Sequence, residues 1–164
     1  MTLNFIMRVP KIYLETSVFN FCFADDSPDK RIETLRLFEE IRQGKYEPYT
    51  SDYVVGELQE APESKRRKMI DLITQYSMLV IPEDPEIQRL AKLYVAEEII
   101  PEKYATDALH IAATTVNNLD YIVSYNFKHI VKVKTIRMTE IVNLREHYKR
   151  IGIYSPTEVI DYDE

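Results

Sequence analysis

The stretch Lys11-Ile12-Tyr13-Leu14-Glu15-Thr16-Ser17 decides the fold. Three large apolar side chains run together and stop abruptly at a carboxylate followed by two hydroxyls. So short an apolar run reads as a strand buried on both faces, as in parallel sheets. The polar triplet then stands at the carboxyl end of that strand, where open parallel sheets bind their ligands.

Working outward, short apolar runs keep alternating with helical patterns. Lys30 to Arg42 predicts an amphipathic helix with Ile32, Leu35, Phe38 and Ile41 at helical spacing, and Gly44 is placed to end it. Tyr46 to Thr50 reads as a second strand. Ser51 or Asp52 caps a helix through Glu60, and Pro62 opens another to about Gln75. Ser77 to Ile81 reads as a third strand, and Asp84-Pro85 starts a helix with Ile87, Leu90, Leu93 and Tyr94 inward. Thr106 to Asn117 predicts a helix that is apolar after its first turn and hence central. Tyr121 to Ser124 is a fourth strand and Val133 to Ile136 a fifth. Thr139 caps a last helix to Arg150, and Tyr154-Ser155-Pro156-Thr157-Glu158 turns into one more helical turn. This order predicts an α/β fold: a three-layer α/β/α sandwich around a central, mainly parallel sheet of four to five strands. It forms a single domain over 1–164, with its core at about 11–150 and a tail at 151–164.

The composition agrees. A chain of 164 residues can bury a core without disulfides, and 45% hydrophobic with 29% charged residues is ordinary for a globular protein. The single cysteine, Cys22, rules out an internal disulfide; within Val18 to Phe23 it reads as a buried, inert thiol. Met1 to Pro10 lacks a basic start followed by a sustained apolar core, and no apolar run approaches the ~20 residues that span a bilayer. The expectation is a cytoplasmic protein with no membrane segment. A net charge of -6 gives no long-range attraction to polyanions. Two local basic stretches, Lys65-Arg66-Arg67-Lys68 and Lys128, Lys132 and Lys134, are candidate contacts for an anionic partner, or simply solvated surface.

The chemistry lies in the acids. Glu15 follows the first strand, Glu57 lies in the first turns after the second, and Asp107 opens the apolar helix. Ser124 and Asn126 follow the fourth strand. Three carboxylates and two neutral oxygen-bearing side chains thus reach one edge of the sheet from four segments. Like charges repel there unless a hard divalent cation offsets them, and Mg²⁺ or Mn²⁺ takes such oxygen ligands. The three histidines, His110, His129 and His147, show no zinc-motif pairing. Singly, each acid has a structural reading: Glu15 as a helix cap, Asp107 as a favourable charge at a helix start, Glu57 as an exposed helical residue.

The local strings carry a resemblance. Ile12-Tyr13-Leu14-Glu15-Thr16-Ser17-Val18 resembles the opening strand of PIN domains, and Ser51 to Leu58 their second motif, which supplies a helical Glu. Thr106-Asp107-Ala108-Leu109-His110-Ile111-Ala112-Ala113 resembles the third motif, and Tyr121 to Ile130 the fourth, with order and spacing matching from about residue 11 to residue 135. The resemblance, in particular to VapC-like toxins of toxin–antitoxin pairs, implies a Mg²⁺- or Mn²⁺-dependent endoribonuclease. It further implies RNA as substrate, a cognate antitoxin and a homodimer. It implies Glu15, Glu57 and Asp107 as metal ligands and catalytic residues, with Asn126 and Ser124 completing the site and Thr16 orienting Glu15 or a bound water. Lys128, Lys65 and Arg66 would hold flanking phosphates, and Tyr125 and Phe127 would stack on bases or pack on the sheet edge. Two departures stand out: Glu15 occupies the place of the usual Asp, and Asn126 and His129 stand where a fourth acid is often found. The neutral fourth position also fits a catalytically inactive module that keeps the fold. A receiver-like phosphoacceptor domain fits poorly, because Asp84 is placed as a helix cap rather than at a strand end.

Overall fold

The computed structural model describes residues 8–162, so the reading of Met1 to Met7 lies outside the described residues. Lys11–Leu14 (β1) forms the centre of a five-stranded sheet, with Ile12, Tyr13 and Leu14 wholly buried. Glu47–Ser51 (β2) pairs with one side of β1 and Tyr121–Val123 (β4) with the other. Leu79–Ile81 (β3) and Gly152–Tyr154 (β5) are the edges, giving the order β3-β2-β1-β4-β5, parallel throughout. With its flanking helices this is the expected three-layer α/β/α sandwich. The chain builds outward from β1 on one side and then returns to the other, so the topological switch point lies between β1 and β4. Leu14 is opposite Val123 in register, which sets Glu15 beside Ser124 at the two carboxyl ends.

The helices are α1 (Thr16–Phe21), α2 (Pro28–Arg42), α3 (Asp52–Leu58), α4 (Glu63–Gln75), α5 (Pro85–Ala96), α6 (Ala105–Val116), α7 (Val133–Arg145) and α8 (Pro156–Val159). A 3₁₀ turn, Glu102–Tyr104, precedes α6. Their starts follow the expected chemistry. The Ser51 side chain caps α3 by accepting from the Val54 amide, and that of Asp84 caps α5 by accepting from the Glu86 amide at 2.7 Å. Gly44, at φ +83°, closes α2 in the left-handed conformation that glycine adopts at no steric cost.

Five expectations are corrected. The buried stripe of α2 is Thr34, Leu37, Phe38 and Ile41, whereas Ile32 and Leu35 are 66% and 45% exposed. The sequence offers two overlapping stripes. The inner one includes a threonine because its hydroxyl bonds the Lys30 carbonyl and the Tyr125 hydroxyl. Second, Val133 to Ile136 is not a strand but the first turn of α7. Thr139 lies inside that helix, buried with Thr135, Val142 and Asn143, rather than capping it. β-branched residues suggested a strand, but the spacing 135, 139, 142 and 143 is one helical face. The helix stops at Arg145 instead of Arg150, since His147 turns left-handed at φ 65°. The fifth strand is therefore Gly152–Tyr154, and the helical turn expected in the tail follows it, opened by a Ser155–Glu158 capping box.

Tyr94 on α5, Thr115 on α6 and Asn143 on α7 form a buried hydrogen-bonded triangle, with the Tyr94 hydroxyl donating to the Asn143 side-chain oxygen. This explains the buried polar side chain of Thr115 on the inner face of α6. Cys22 is buried, and burial pushes its thiol up to about 11, which removes it as a nucleophile at neutral pH. Among the described residues no helix is long and apolar enough to cross a membrane.

Candidate active site

Glu15 is both the cap of α1 and a member of the acidic cluster. Its side chain is 5% exposed; Oε1 accepts from the Ser17 hydroxyl at 2.6 Å and the Ser124 hydroxyl at 2.5 Å, and Oε2 accepts from the Ser17 amide at 3.2 Å. Parallel pairing of β1 with β4 makes the Ser124 contact possible, and the Glu15 amide donates to the Val123 carbonyl at 3.2 Å. Ser17 takes the role expected of Thr16. The Thr16 hydroxyl instead donates to Glu57 Oε1 at 2.7 Å, tying α1 to α3. Successive residues at the start of a short helix point to different neighbours, so one hydroxyl serves each carboxylate.

His110 is the residue that sequence reasoning passed over. It lies one turn beyond Asp107 on α6, is wholly buried, and donates from Nε2 to Glu57 Oε1 at 2.5 Å. Its Nδ1 meets the Tyr13 hydroxyl at 2.7 Å, which meets the Ser51 hydroxyl at 2.6 Å. A neutral ring accepts at Nδ1 from Tyr13, which accepts from Ser51. A charged ring donates to Tyr13, which donates on to Ser51. Both states leave no ring nitrogen unpaired, and in both Nε2–H faces the ionised Glu57. The signal was present in the sequence: a histidine on the inner face of an alanine-rich helix must find partners for both nitrogens.

The ligating atoms of Glu15, Glu57 and His110 lie within 4.8 Å of one another. Asp107, in the first turn of α6, lies outside that group of three; it is half-buried, accepts from the Asn126 side-chain amide at 3.1 Å, and feels the charges of Glu15, Glu57 and His110. Asn126 is held in turn, its Oδ1 accepting from the His129 amide at 2.9 Å, so its nitrogen faces the acid. Burial, reinforced by the charges of Glu15 and Glu57, pushes the Asp107 carboxyl up to about 6 against the opposing pull of His110 and Asn126. For Glu57, burial acts upward but the His110 bond and charge and the Thr16 bond outweigh it, holding its carboxyl below the ordinary value. For His110, burial disfavours the charged ring, yet the Glu57 bond and the charges of Glu15, Glu57 and Asp107 raise its pKa.

The flanks of the site are aromatic and cationic. Phe127, next to Asn126, is 50% exposed, and Lys30 Nζ lies 4.8 Å from the Phe21 ring centre, 5.8 Å from Tyr125 and 6.0 Å from Phe127. Tyr125 is buried with its hydroxyl on Thr34 and the Lys30 carbonyl, so it packs and is not available for stacking. On the other flank Lys128 and Lys103 lie over Tyr104 at 5.5 and 5.8 Å, and Tyr104 stacks on His129 with centroids 4.2 Å apart. His129 therefore packs on an aromatic ring instead of standing among the acids. Lys65 and Arg66 sit at the start of α4, Arg66 donating to the Gln59 carbonyl at 3.3 Å, and neither contacts a residue of the cluster.

By sequence, no family model and no curated protein matches the chain. Solved structures do match in fold. One is VapBC2 from Rickettsia felis bound to a DNA fragment from its promoter, at TM-score 0.54 and 13% identity over 88% of this chain and 98% of that one. Another is VapC20 from Mycobacterium tuberculosis, a toxin that cleaves the sarcin–ricin loop, at TM-score 0.50 and 12% identity over 68% of this chain and 86% of that one. The chain has the PIN-like fold of VapC toxins.

Proposed function

We propose that the protein is a divalent-metal-dependent ribonuclease, the toxin of a toxin–antitoxin pair, with its centre at Glu15, Glu57 and Asp107. One observation supports the reading: Glu15 at the end of β1 and Glu57 on α3 come together beside His110 of α6, the helix that Asp107 opens, and hydroxyl, imidazole and amide donors hold the three carboxylates. The all-oxygen donor set of Glu15, Glu57 and Asp107 suits Mg²⁺ or Mn²⁺. Glu15, Glu57 and Asp107 would hold such a cation, which would supply neutralisation of phosphoryl charge and a more acidic bound water. The protein's own part is positioning. Ser17 and Ser124 clamp Glu15, Thr16 steadies Glu57, and Asn126 restrains Asp107, all before substrate arrives. Water attacks phosphorus as a P–O ester bond breaks, so the products carry linear phosphate ends. Incubating RNA with the protein and Mn²⁺ and analysing the ends tests this, because 2′,3′-cyclic phosphate ends would show attack by the ribose hydroxyl instead.

The raised Asp107 carboxyl gives a pH prediction. A proton and a divalent cation compete for it, so Mn²⁺ affinity is constant above about 6 and falls as pH drops through that value. The loss is about tenfold per unit below it. Calorimetric titrations at pH 5, 6 and 7 check this, and a flat profile would contradict it.

Phe127 and Lys30 on one flank, with Lys103 and Lys128 on the other, suit single-stranded RNA: a ring for a base and cations for adjacent phosphates. Phe127→Ala is expected to weaken binding of a fluorescent RNA 12-mer by about 1–3 kcal/mol, read by anisotropy in EDTA so that no cleavage intervenes. Equal affinity would rule the ring out of the substrate path. Lys65 and Arg66, on α4 and without a hydrogen bond or ion pair to the acids among the described residues, are expected to contribute far less.

Exposed apolar residues support the protein partners. Ile32 and Leu35 on α2, and Val133, Ile141 and Leu144 on α7, are surface that a second copy or an antitoxin would cover. The neutral amide of Asn126 at the fourth acidic position favours the rival reading, an inactive module that binds RNA or protein. A metal-binding centre is expected to raise the melting temperature with Mn²⁺. An inactive module without the centre would show no change.

A further inference from the structure

We propose that His110 is a positioning residue for Glu57, braced from behind by Tyr13 and Ser51, and is not itself a ligand. The inference rests on the metal-centre reading above and assigns a role within it.

The four side chains form one line through the core: Ser51 at the end of β2, Tyr13 in β1, His110 in α6 and Glu57 in α3. Ser51, Tyr13 and His110 are all wholly buried, so water does not compete for these bonds. Both ring nitrogens are engaged, and ligation by His110 would break either the Glu57 bond or the Tyr13 bond. Glu57 accepts from Thr16 and from His110 on the same oxygen, Oε1, and its carboxylate lies within 4.8 Å of the ligating atom of Glu15. The imidazole thus sets the direction of the carboxylate, and the tyrosine sets that of the imidazole. The donor to Glu57 is Nε2–H whichever way the protons run along the rest of the line, so the bracing does not depend on the ring's charge. Partners behind a ligand fix its orientation in this way and commonly govern affinity.

The spacing on α6 serves the same end. Asp107 and His110 are three residues apart and share a helix face. One helix therefore supplies a carboxylate at the mouth of the site and, one turn deeper, the brace for a carboxylate on another helix.

The test is Mn²⁺ binding, followed by the electron paramagnetic resonance signal of the free ion, which requires no catalysis. His110→Leu is expected to weaken binding about 10–100-fold. His110→Gln, whose amide N–H can still donate to Glu57, is expected to stay within about threefold of the unaltered protein by the same reasoning. In a Glu57→Ala background His110→Leu is expected to have no further effect, because a brace has nothing left to hold. Tyr13→Phe removes one hydroxyl with little change of shape, and its intermediate loss guards against an unfolded leucine variant. Equal losses in the leucine and glutamine variants, or an undiminished effect without Glu57, would overturn the positioning role. Failure of the unaltered protein to bind Mn²⁺ would instead overturn the metal-centre reading beneath it.

Discussion

Asp107→Asn is expected to abolish RNA cleavage, with a loss of about three orders of magnitude or more, and at the same time to stabilise the protein without metal. The catalytic loss follows from removing one of three carboxylates from a centre whose neutralisation of charge contributes several kcal/mol. The stability gain follows from the raised carboxyl. Asp107 titrates near 6 in the folded protein against an ordinary value of 3.8, so at neutral pH it is held ionised at a cost. That cost is absent below about 3.8, grows between there and about 6, and is fully present above. With solvent screening of this half-exposed group, the asparagine variant should gain on the order of 1 kcal/mol at pH 7 in EDTA and nothing at pH 3.5. Denaturant unfolding at the two pH values separates a lost ligand from a damaged fold. An asparagine variant that unfolds more easily at pH 7, or that still cleaves, contradicts the assignment.

Glu15→Asp is the second substitution with a large expected effect, and its direction is informative. Aspartate is usual at this position in the resembling family, so a simple analogy predicts retained or improved activity. The local geometry predicts the reverse. The carboxylate of Glu15 is held by the Ser124 hydroxyl from the end of the neighbouring strand and by the hydroxyl and amide of Ser17. Shortening by one methylene withdraws it by about 1.5 Å and cannot keep all three bonds. A loss of about 10–100-fold in Mn²⁺ affinity is expected, with cleavage falling alongside. Parity with the unaltered protein would mean that the serines do not position the ligand. Ser124→Ala should reproduce part of the loss, which ties the effect to the clamp.

The same contacts show what the sequence made legible. Short buried apolar runs leave a strong pattern, so β1 and β4 were readable, and with them the strand ends that carry Glu15 and Ser124. Helix starts at Ser51 and Asp84 were readable because capping is local chemistry, and the start at Pro62 because proline fixes φ and lacks the amide hydrogen that a helix start leaves unpaired. The region after residue 130 was not. Val133 to Ile136 satisfies strand propensity and helix periodicity equally, and the tertiary packing of Thr135, Thr139, Val142 and Asn143 decides between them. Edge strand β5 is three residues long and contains a glycine, too little signal against its neighbours. At the site, the place of Glu15 after β1, of Glu57 on α3 and of Asp107 at the start of α6 was legible, whereas the hydrogen bonds of these acids were not. Whether Thr16 or Ser17 serves Glu15 depends on the turn into α1. The link from Tyr13 to His110 spans 97 residues of sequence and arises only once β1 and α6 pack together.

The most direct measurement is cleavage of a mixed-sequence RNA pool by the purified protein with Mn²⁺ and with EDTA, set beside Asp107→Asn with Mn²⁺. The account predicts fragments in the first lane alone. Fragments that persist in EDTA or with the asparagine variant, or an intact pool in every lane, would contradict a metal-dependent ribonuclease centre at Glu15, Glu57 and Asp107.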